Sequence, residues 1–300
     1  MPNVVPARHI DFIINPISGG RDKEKIVSLI GKELDRKKFS YSIRYTRGPG
    51  DATVLAAEST ADIVCAVGGD GTLNEVACGL VGTSKALGLI PCGSGDGLAL
   101  HIGISRNPRK AIRNLNTGRA IPMDCGRING KPFFSISGTG LDATVSYRFA
   151  HAGKRGLRTY ISEALKTWKG FVFEEYDITI DGRRMKERAA LISVGNSNQW
   201  GNQARITPLA SISDGLLDMT IIKPFRTMDI PGIVLKLMTG RLDRCSKAIC
   251  LQGRSIRIEK QGRCIAHFDG DPIELESPLT FELDPSVLRI VAPYRPERQS

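Results

Sequence analysis

The 300-residue sequence contains no run of about 18 apolar residues, so it offers no segment that reads as a membrane-spanning helix. Its first residues, MPNVVPARHI, lack the basic stretch followed by a long apolar one that marks a secretory signal. No CxxC pair occurs, and the seven cysteines are an odd, scattered set, which excludes a disulfide framework and a zinc site as readings of the sequence. Most of them lie in apolar runs such as IVCAV, where a small buried thiol is expected in a reducing, cytoplasmic setting. Two nucleotide signatures are also missing. There is no GxxxxGK[ST] and no HRD or DFG triplet, so neither a P-loop enzyme nor a protein kinase is indicated. A GxGxxG after the first strand is absent too, which removes the Rossmann dinucleotide fingerprint. No recognisable nucleic-acid module or aromatic–basic interleaving appears, so nucleic acid is not expected as a partner.

What is present is a globular composition, with 41% hydrophobic and 24% charged residues and a net charge of +11 that favours anionic partners. The first third alternates strand and helix patterns: strands at Ile10–Asn15, Phe39–Tyr45, Ile63–Val67 and Leu87–Ile90, with helices between them, the last from Thr72 to about Leu80. That rhythm predicts a three-layer α/β domain with a parallel sheet over residues 1–122. After about residue 122 the rhythm turns to many short strands with polar turns, one of them over Arg188–Gly195, which predicts a β-rich sandwich over 123–286. Two helical segments are expected within it, Ala143–Phe173 (broken near Gly153) and Thr227–Thr239, and a last strand over 287–295 is expected to rejoin the first domain.

Three glycine-rich turns follow the first, third and fourth strands of the α/β part. They are Asn15-Pro16-Ile17-Ser18-Gly19-Gly20, Gly68-Gly69-Asp70-Gly71-Thr72-Leu73-Asn74-Glu75, and Pro91-Cys92-Gly93-Ser94-Gly95-Asp96-Gly97. Glycine lets backbone N–H groups approach a phosphate, a helix N-terminus adds a favourable dipole, and ligands of open α/β sheets bind at the carboxyl ends of strands. Three such loops at one sheet edge could wrap a polyphosphate with backbone donors. Each alone also reads as a tight turn.

The ordered set NPISGG, VGGDGTLNE, IPCGSGDGLA, MDCG, SDGLLD and FDGD, running from Asn15 to Asp271, resembles the diacylglycerol kinase catalytic family, which includes sphingosine kinases and bacterial lipid kinases. The glycine-aspartate-glycine-threonine core alone is shared with NAD kinases, and a phosphotransferase acting on a soluble acceptor, or an inactive nucleotide- or lipid-binding protein, are the competing readings. The resemblance implies ATP as phosphate donor, held in the cleft between the two domains, Mg²⁺ as cofactor and a lipid hydroxyl as acceptor. It implies ATP contacts at Asn15, Pro16, Ile17, Ser18 and Gly19, at Thr46, from Gly68 through Glu75, and at Ser94. It implies a general base at Asp269 with Asp70 as rival, and a metal site at Ser211, Asp214 and the Leu216 carbonyl, supported by Asp124. It implies head-group contacts at Asp142 and Asp271. On spacing alone Asp269-Gly270 reads as a hairpin turn.

The sequence departs from the family at Asp96, Gly97 and Asp271, and its Gly-Ser-Gly and Gly140-Leu141-Asp142-Ala143 segments, with Arg155-Gly156-Leu157-Arg158, lean towards the sphingosine kinases. Leu157, Tyr160, Ile161, Leu165, Trp168, Phe171 and Phe173 supply apolar side chains for either an acyl slot or an ordinary core. The stretch Lys223–Arg263 carries ten Lys/Arg against three acids, which suits a peripheral contact with the inner membrane surface or a merely solvated face. A homodimer stands open.

Overall fold

The structure is a computed structural model and describes residues 8–151, 166–168, 170–284 and 287–294. The chain divides into two compact units, residues 1–123 with 286–300, and residues 124–285.

The first unit is built on one six-stranded sheet. The strands β1 (Arg8–Ile14), β2 (Phe39–Tyr45), β3 (Ile63–Gly68) and β4 (Ala86–Pro91) are parallel and joined by the helices α1 (Lys23–Glu33), α2 (Asp51–Glu58) and α3 (Asp70–Leu80). Two further helices, α4 (Gly97–Ile102) and α5 (Pro108–Thr117), lead to β5 (Arg119–Met123), and β18 (Leu288–Ala292) completes the sheet. The order is β2-β1-β3-β4-β18-β5. β3 and β4 are buried along their whole length, which is why IVCAVG and ALGLIP read as continuous apolar runs rather than alternating ones. Because β2 and β3 lie on opposite sides of β1, the chain reverses direction across the sheet between β1 and β3. Open α/β sheets bind their ligands at such a switch point.

The second unit packs two antiparallel six-stranded sheets face to face. One has the order β10-β9-β14-β17-β6-β7, from β6 (Gly126–Ile128), β7 (Lys131–Phe133), β9 (Glu174–Ile180), β10 (Arg183–Ala189), β14 (Ser255–Glu259) and β17 (Leu279–Leu283). The other has the order β13-β12-β11-β8-β15-β16, from β8 (Ile136–Gly140), β11 (Leu191–Gly195), β12 (Leu217–Ile222), β13 (Ala248–Gly253), β15 (Arg263–Phe268) and β16 (Asp271–Glu276). Their facing sides interdigitate Tyr176, Ile178, Ile256 and Phe281 with Ile192, Val194, Met219 and Ala266. The helices α6 (Leu141–His151) and α7 (Ile230–Thr239) are inserted between strands.

The element expectations need several corrections. The strand expected over Arg188–Gly195 is two strands that turn at Ala190. Phe171–Phe173 are not helical, and residues 152–165, including Leu157, Tyr160, Ile161, Leu165 and Arg155–Arg158, lie outside the described residues. The helix expected over Thr227–Thr239 is a 3₁₀ turn, Thr227–Asp229, followed by α7. The helix expected from Thr72 already begins at Asp70. The edge strands β5, β13 and β16, the short β6, and the helices α4 and α5 escape the sequence reading. Edge strands are half exposed, so neither a continuous apolar run nor a clean alternation marks them.

Candidate functional site

The loop after β1, the loop after β3 and the loop after β4 meet at the switch point of the first sheet. The Asn15 N–H donates to the Val67 carbonyl at 3.2 Å, and the Asn15 side-chain amide donates to Thr72 Oγ1 at 3.1 Å, tying the first loop to the second. The Cys92 N–H donates to the Gly68 carbonyl at 2.7 Å, tying the second to the third. Glycine is required by the closeness of these strands. A Cβ on Gly68 would lie 2.4 Å from Thr72 Oγ1, one on Gly93 would lie 2.9 Å from the Gly69 Cα, and one on Gly19 would lie 1.9 Å from the Cys92 carbonyl oxygen.

Asp70 is the tie between the second and third loops. Its two carboxylate oxygens accept the N–H groups of Asp96 (3.0 Å) and Gly97 (3.1 Å), which are the first donors of α4. Asp96 stands in the left-handed region at φ 52° and accepts the Gly93 N–H at 2.9 Å. Burial pushes its carboxyl above the ordinary range, against the Gly93 N–H and the Arg106 guanidinium, which hold it down. Arg106 lies 3.2 Å from Asp96 and donates to the Ser94 and Gly95 carbonyls at 2.8 and 2.5 Å. The sequence reading missed Arg106 because nothing in its spacing distinguishes it from any surface arginine. Gly69, the N-cap of α3, offers no side chain to the first N–H groups of the helix.

The nucleotide candidates do not all offer a free group. Pro16, Ile17, Gly19, Gly71 and Ser94 are exposed, whereas Thr46, Thr72, Leu73 and Asn74 are buried. Leu73 turns its side chain inward and its N–H to the Gly69 carbonyl. The Glu75 carboxylate accepts the Gly50 and Ala52 N–H groups at 2.9 and 3.2 Å and so caps the start of α2.

In the second unit, Asp269 sits at the tip of the β15–β16 hairpin with φ 48°. Its carboxylate turns back to accept three backbone N–H groups, from Phe134 (2.9 Å), Ser135 (2.7 Å) and Ile136 (3.1 Å). It therefore holds the entry to β8. Asp142, in the first turn of α6, is buried and meets His267 Nε2 at 3.0 Å and Ser193 Oγ at 3.3 Å. His267 and Ser193 flank Gly138 in one cross-strand row of β15, β8 and β11, so all three point to the same face of the sheet. Asp142 Oδ1 and His267 Nδ1 are buried without a hydrogen-bond partner among the described residues. Neither His267 nor Ser193 is legible from the sequence, since their link to Asp142 spans 125 and 51 residues. Asp271, the other head-group candidate, opens β16 and is exposed.

The metal candidates Ser211, Asp214 and Leu216 lie on one turn between β11 and β12. Asp214 is exposed and accepts the Leu216 N–H at 3.1 Å, and Asp124 Oδ2 accepts the Gly215 N–H at 2.8 Å. Among the described residues no three His, Cys, Asp or Glu side chains cluster as a ready-made cation cage. The hydroxyl, carboxylate and carbonyl of this turn are hard oxygen donors that fit a magnesium ion retaining several waters, and no such cage is needed.

Burial pushes the neighbouring Asp218 carboxyl up to about 6, with the Gln252 amide pulling it back and the Asp214 charge adding to the rise. Its unfolded value is 3.8, so between the two the folded chain binds the extra proton. This contribution to stability is present below the unfolded value and is lost as pH rises through about 6. Asp218→Asn is expected to remove that loss, so that melting temperature falls less in the variant between pH 3.8 and about 6, the span between the two values. Identical slopes would show that Asp218 does not titrate there.

The chain matches the diacylglycerol kinase catalytic domain over residues 9–128 and the YegS C-terminal NAD kinase beta sandwich-like domain over residues 135–292. The chain belongs to the diacylglycerol kinase catalytic family. A diacylglycerol kinase of Bacillus subtilis is 27% identical over 268 residues, covering 87% of this chain and 88% of the relative. A protein of Pectobacterium atrosepticum named "Probable lipid kinase YegS-like" is 30% identical over 239 residues, covering 76% of this chain and 78% of the relative. The crystal structure of a diacylglycerol kinase from Bacillus anthracis has a TM-score of 0.72 over 95% of this chain and 97% of that one, at 21% identity, which establishes the shared fold. No helix among the described residues is long and apolar enough to cross a membrane.

Proposed function

We propose that this family member transfers the γ-phosphate of ATP to the hydroxyl of a lipid, a sphingoid base or a diacylglycerol. The observation that supports it most is the convergence of three glycine loops on the switch point of the first sheet, with Asp70 and Arg106 fixing the third loop. Phosphoryl transfer asks little covalent chemistry of a protein and much positioning of charge. In this reading the N–H groups of the glycine turns and the uncapped start of α3 receive the phosphates, flanked by Asn15, Ser18, Thr72 and Ser94. Glu75 and Leu73 act through the fold, by capping α2 and filling the core.

Magnesium bound by Ser211, Asp214 and the Leu216 carbonyl would neutralise phosphate charge. Asp124 acts on that turn by holding the Gly215 N–H in place. Asp269 is assigned the proton of the attacking hydroxyl. Asp142, presented by His267 and Ser193, takes the polar head of the acceptor at its uncommitted Oδ1.

The test is a radiolabelled transfer assay with Mg²⁺ and ATP, offering a diacylglycerol, a sphingoid base, a ceramide and NAD in parallel. A labelled lipid supports the reading and selects the acceptor. Label on NAD alone would move the chain to a soluble-acceptor kinase, and label on none would leave a binding protein. His267→Ala is expected to destabilise the chain by about 1–3 kcal/mol in urea, because Asp142 is left buried with a single hydroxyl partner. His267→Gln, which restores a donor, should recover most of that loss.

A further inference from the structure

Helix α7, Ile230–Thr239, is apolar on two faces. Ile233 and Leu237 turn inward and pack over Ile136, Leu191, Ile206 and Ile222 on the outer side of the second sheet. That face accounts for the helix's place in the fold. Pro231, Val234, Leu235 and Met238 form a second stripe at i, i+3, i+4 and i+7, the spacing of a face that seeks a partner. This stripe faces solvent: Leu235 is 65% exposed, Val234 46% and Met238 45%, and Met228 in the preceding turn is 77% exposed. Val172, beside the Phe173 that packs against Phe225, is also exposed, at 71%. No residue of α7 is fully buried, which is unusual for a segment with one charge in ten residues.

The charges nearby have one dominant sign. Between Lys223 and Lys247 the chain carries six Lys/Arg and two Asp. Both acids are already engaged, Asp229 with Lys247 at 3.6 Å and Asp243 with Arg244 at 3.9 Å. Lys236 Nζ donates to the Arg244 carbonyl, and the Arg241 N–H to the Lys236 carbonyl at 2.8 Å, so these cations gather at the C-terminal end of the helix. Arg205, whose N–H donates to the Leu237 carbonyl at 3.0 Å, joins them. An exposed apolar stripe bordered by cations is the surface that lies in the headgroup layer of an anionic bilayer. A protein partner with an acidic rim would answer the same charge. The high exposure of the stripe, and the engagement of both acids between Lys223 and Lys247 by neighbouring cations, favour the bilayer.

We propose that α7, by its Val234–Leu235–Met238 stripe and the Lys236, Arg241 and Arg244 cations, is the surface with which this chain docks on an anionic lipid membrane. This rests on the lipid-kinase reading only in naming where such an enzyme would meet the phase that holds its acceptor. The test uses the full chain with vesicles of phosphatidylcholine, alone or mixed with phosphatidylglycerol, with no kinase substrate present, and reads the bound fraction by flotation.

Binding to the anionic vesicles is expected at about 0.1 M salt and release at about 1 M, where the screening length falls from about 10 Å to about 3 Å. Leu235→Glu combined with Met238→Glu is expected to lower the partition coefficient at least about tenfold, with melting temperature and nucleotide affinity unchanged. Arg241→Glu combined with Arg244→Glu should lower it by at least about tenfold and weaken the salt dependence. Equal partition of either variant and the wild type overturns the proposal, as does a wild type that ignores anionic vesicles at low salt. A dimer that Leu235→Glu with Met238→Glu dissociates, in a chain that binds no vesicle, assigns the stripe to a second copy instead. Vesicle binding is scored without phosphate transfer, so an inactive chain that still docks refutes the kinase reading and keeps this one.

Discussion

Asp269→Asn is expected to lower the turnover of phosphate transfer by about a hundred- to ten-thousand-fold, the usual worth of a positioned proton acceptor, with nucleotide affinity unchanged. The substitution suits the site because the backbone there is left-handed at φ 48°, a conformation that asparagine tolerates. Asparagine also keeps one carbonyl oxygen for the Ser135 and Ile136 N–H groups and loses only the acceptor for Phe134. A drop in activity could still come from a displaced β8 rather than a missing base. Two measurements separate the causes. A fall of more than about 1–3 kcal/mol in stability would point to the hairpin tip. A retained melting temperature with lost turnover would point to the proton. Full activity in Asp269→Asn would remove the base assignment. Asp70→Asn gives the contrast, because it releases either the Asp96 or the Gly97 N–H and so loosens the third loop. It is expected to raise the KM for ATP as well as lower turnover, whereas a pure turnover loss would make Asp70 the base.

The second large effect is expected from Gly19→Ala. An alanine Cβ would lie 1.9 Å from the Cys92 carbonyl oxygen, and the residue sits at φ 59°, where a side chain adds strain. Neither neighbour can yield cheaply, because Cys92 is itself pinned through its N–H to the Gly68 carbonyl at 2.7 Å. The first loop must therefore move away from the third. A displacement of about 1 Å in groups that position a reactant can cost about a hundredfold in rate, so turnover is expected to fall about that far, with ATP affinity measured by calorimetry falling alongside it. Gly20 is the control, since a Cβ there meets nothing within 4 Å and the backbone is not left-handed. Gly20→Ala should bind ATP as the wild type does. Equal losses in both variants would mean that the loop needs flexibility and not the close approach.

The sequence by itself determined the two architectures and the chemistry of the glycine turns. Continuous apolar runs such as Ile63–Val67 can only be strands buried on both faces, and the glycines that follow mark where backbone comes close to backbone. These are local properties, and periodicity and residue type carry them. Tertiary structure alone decided which groups each carboxylate meets. Asp269 faces N–H groups more than 130 residues away, Asp142 meets His267 across 125, and Asp70 reaches Asp96 and Gly97 from the neighbouring loop. No spacing rule reports such pairings, since they depend on which strands become neighbours in a sheet. The same holds for α7. Its sequence reveals an apolar helix, but only packing decides that Ile233 and Leu237 are spent on the core while Leu235 and Met238 are left to water.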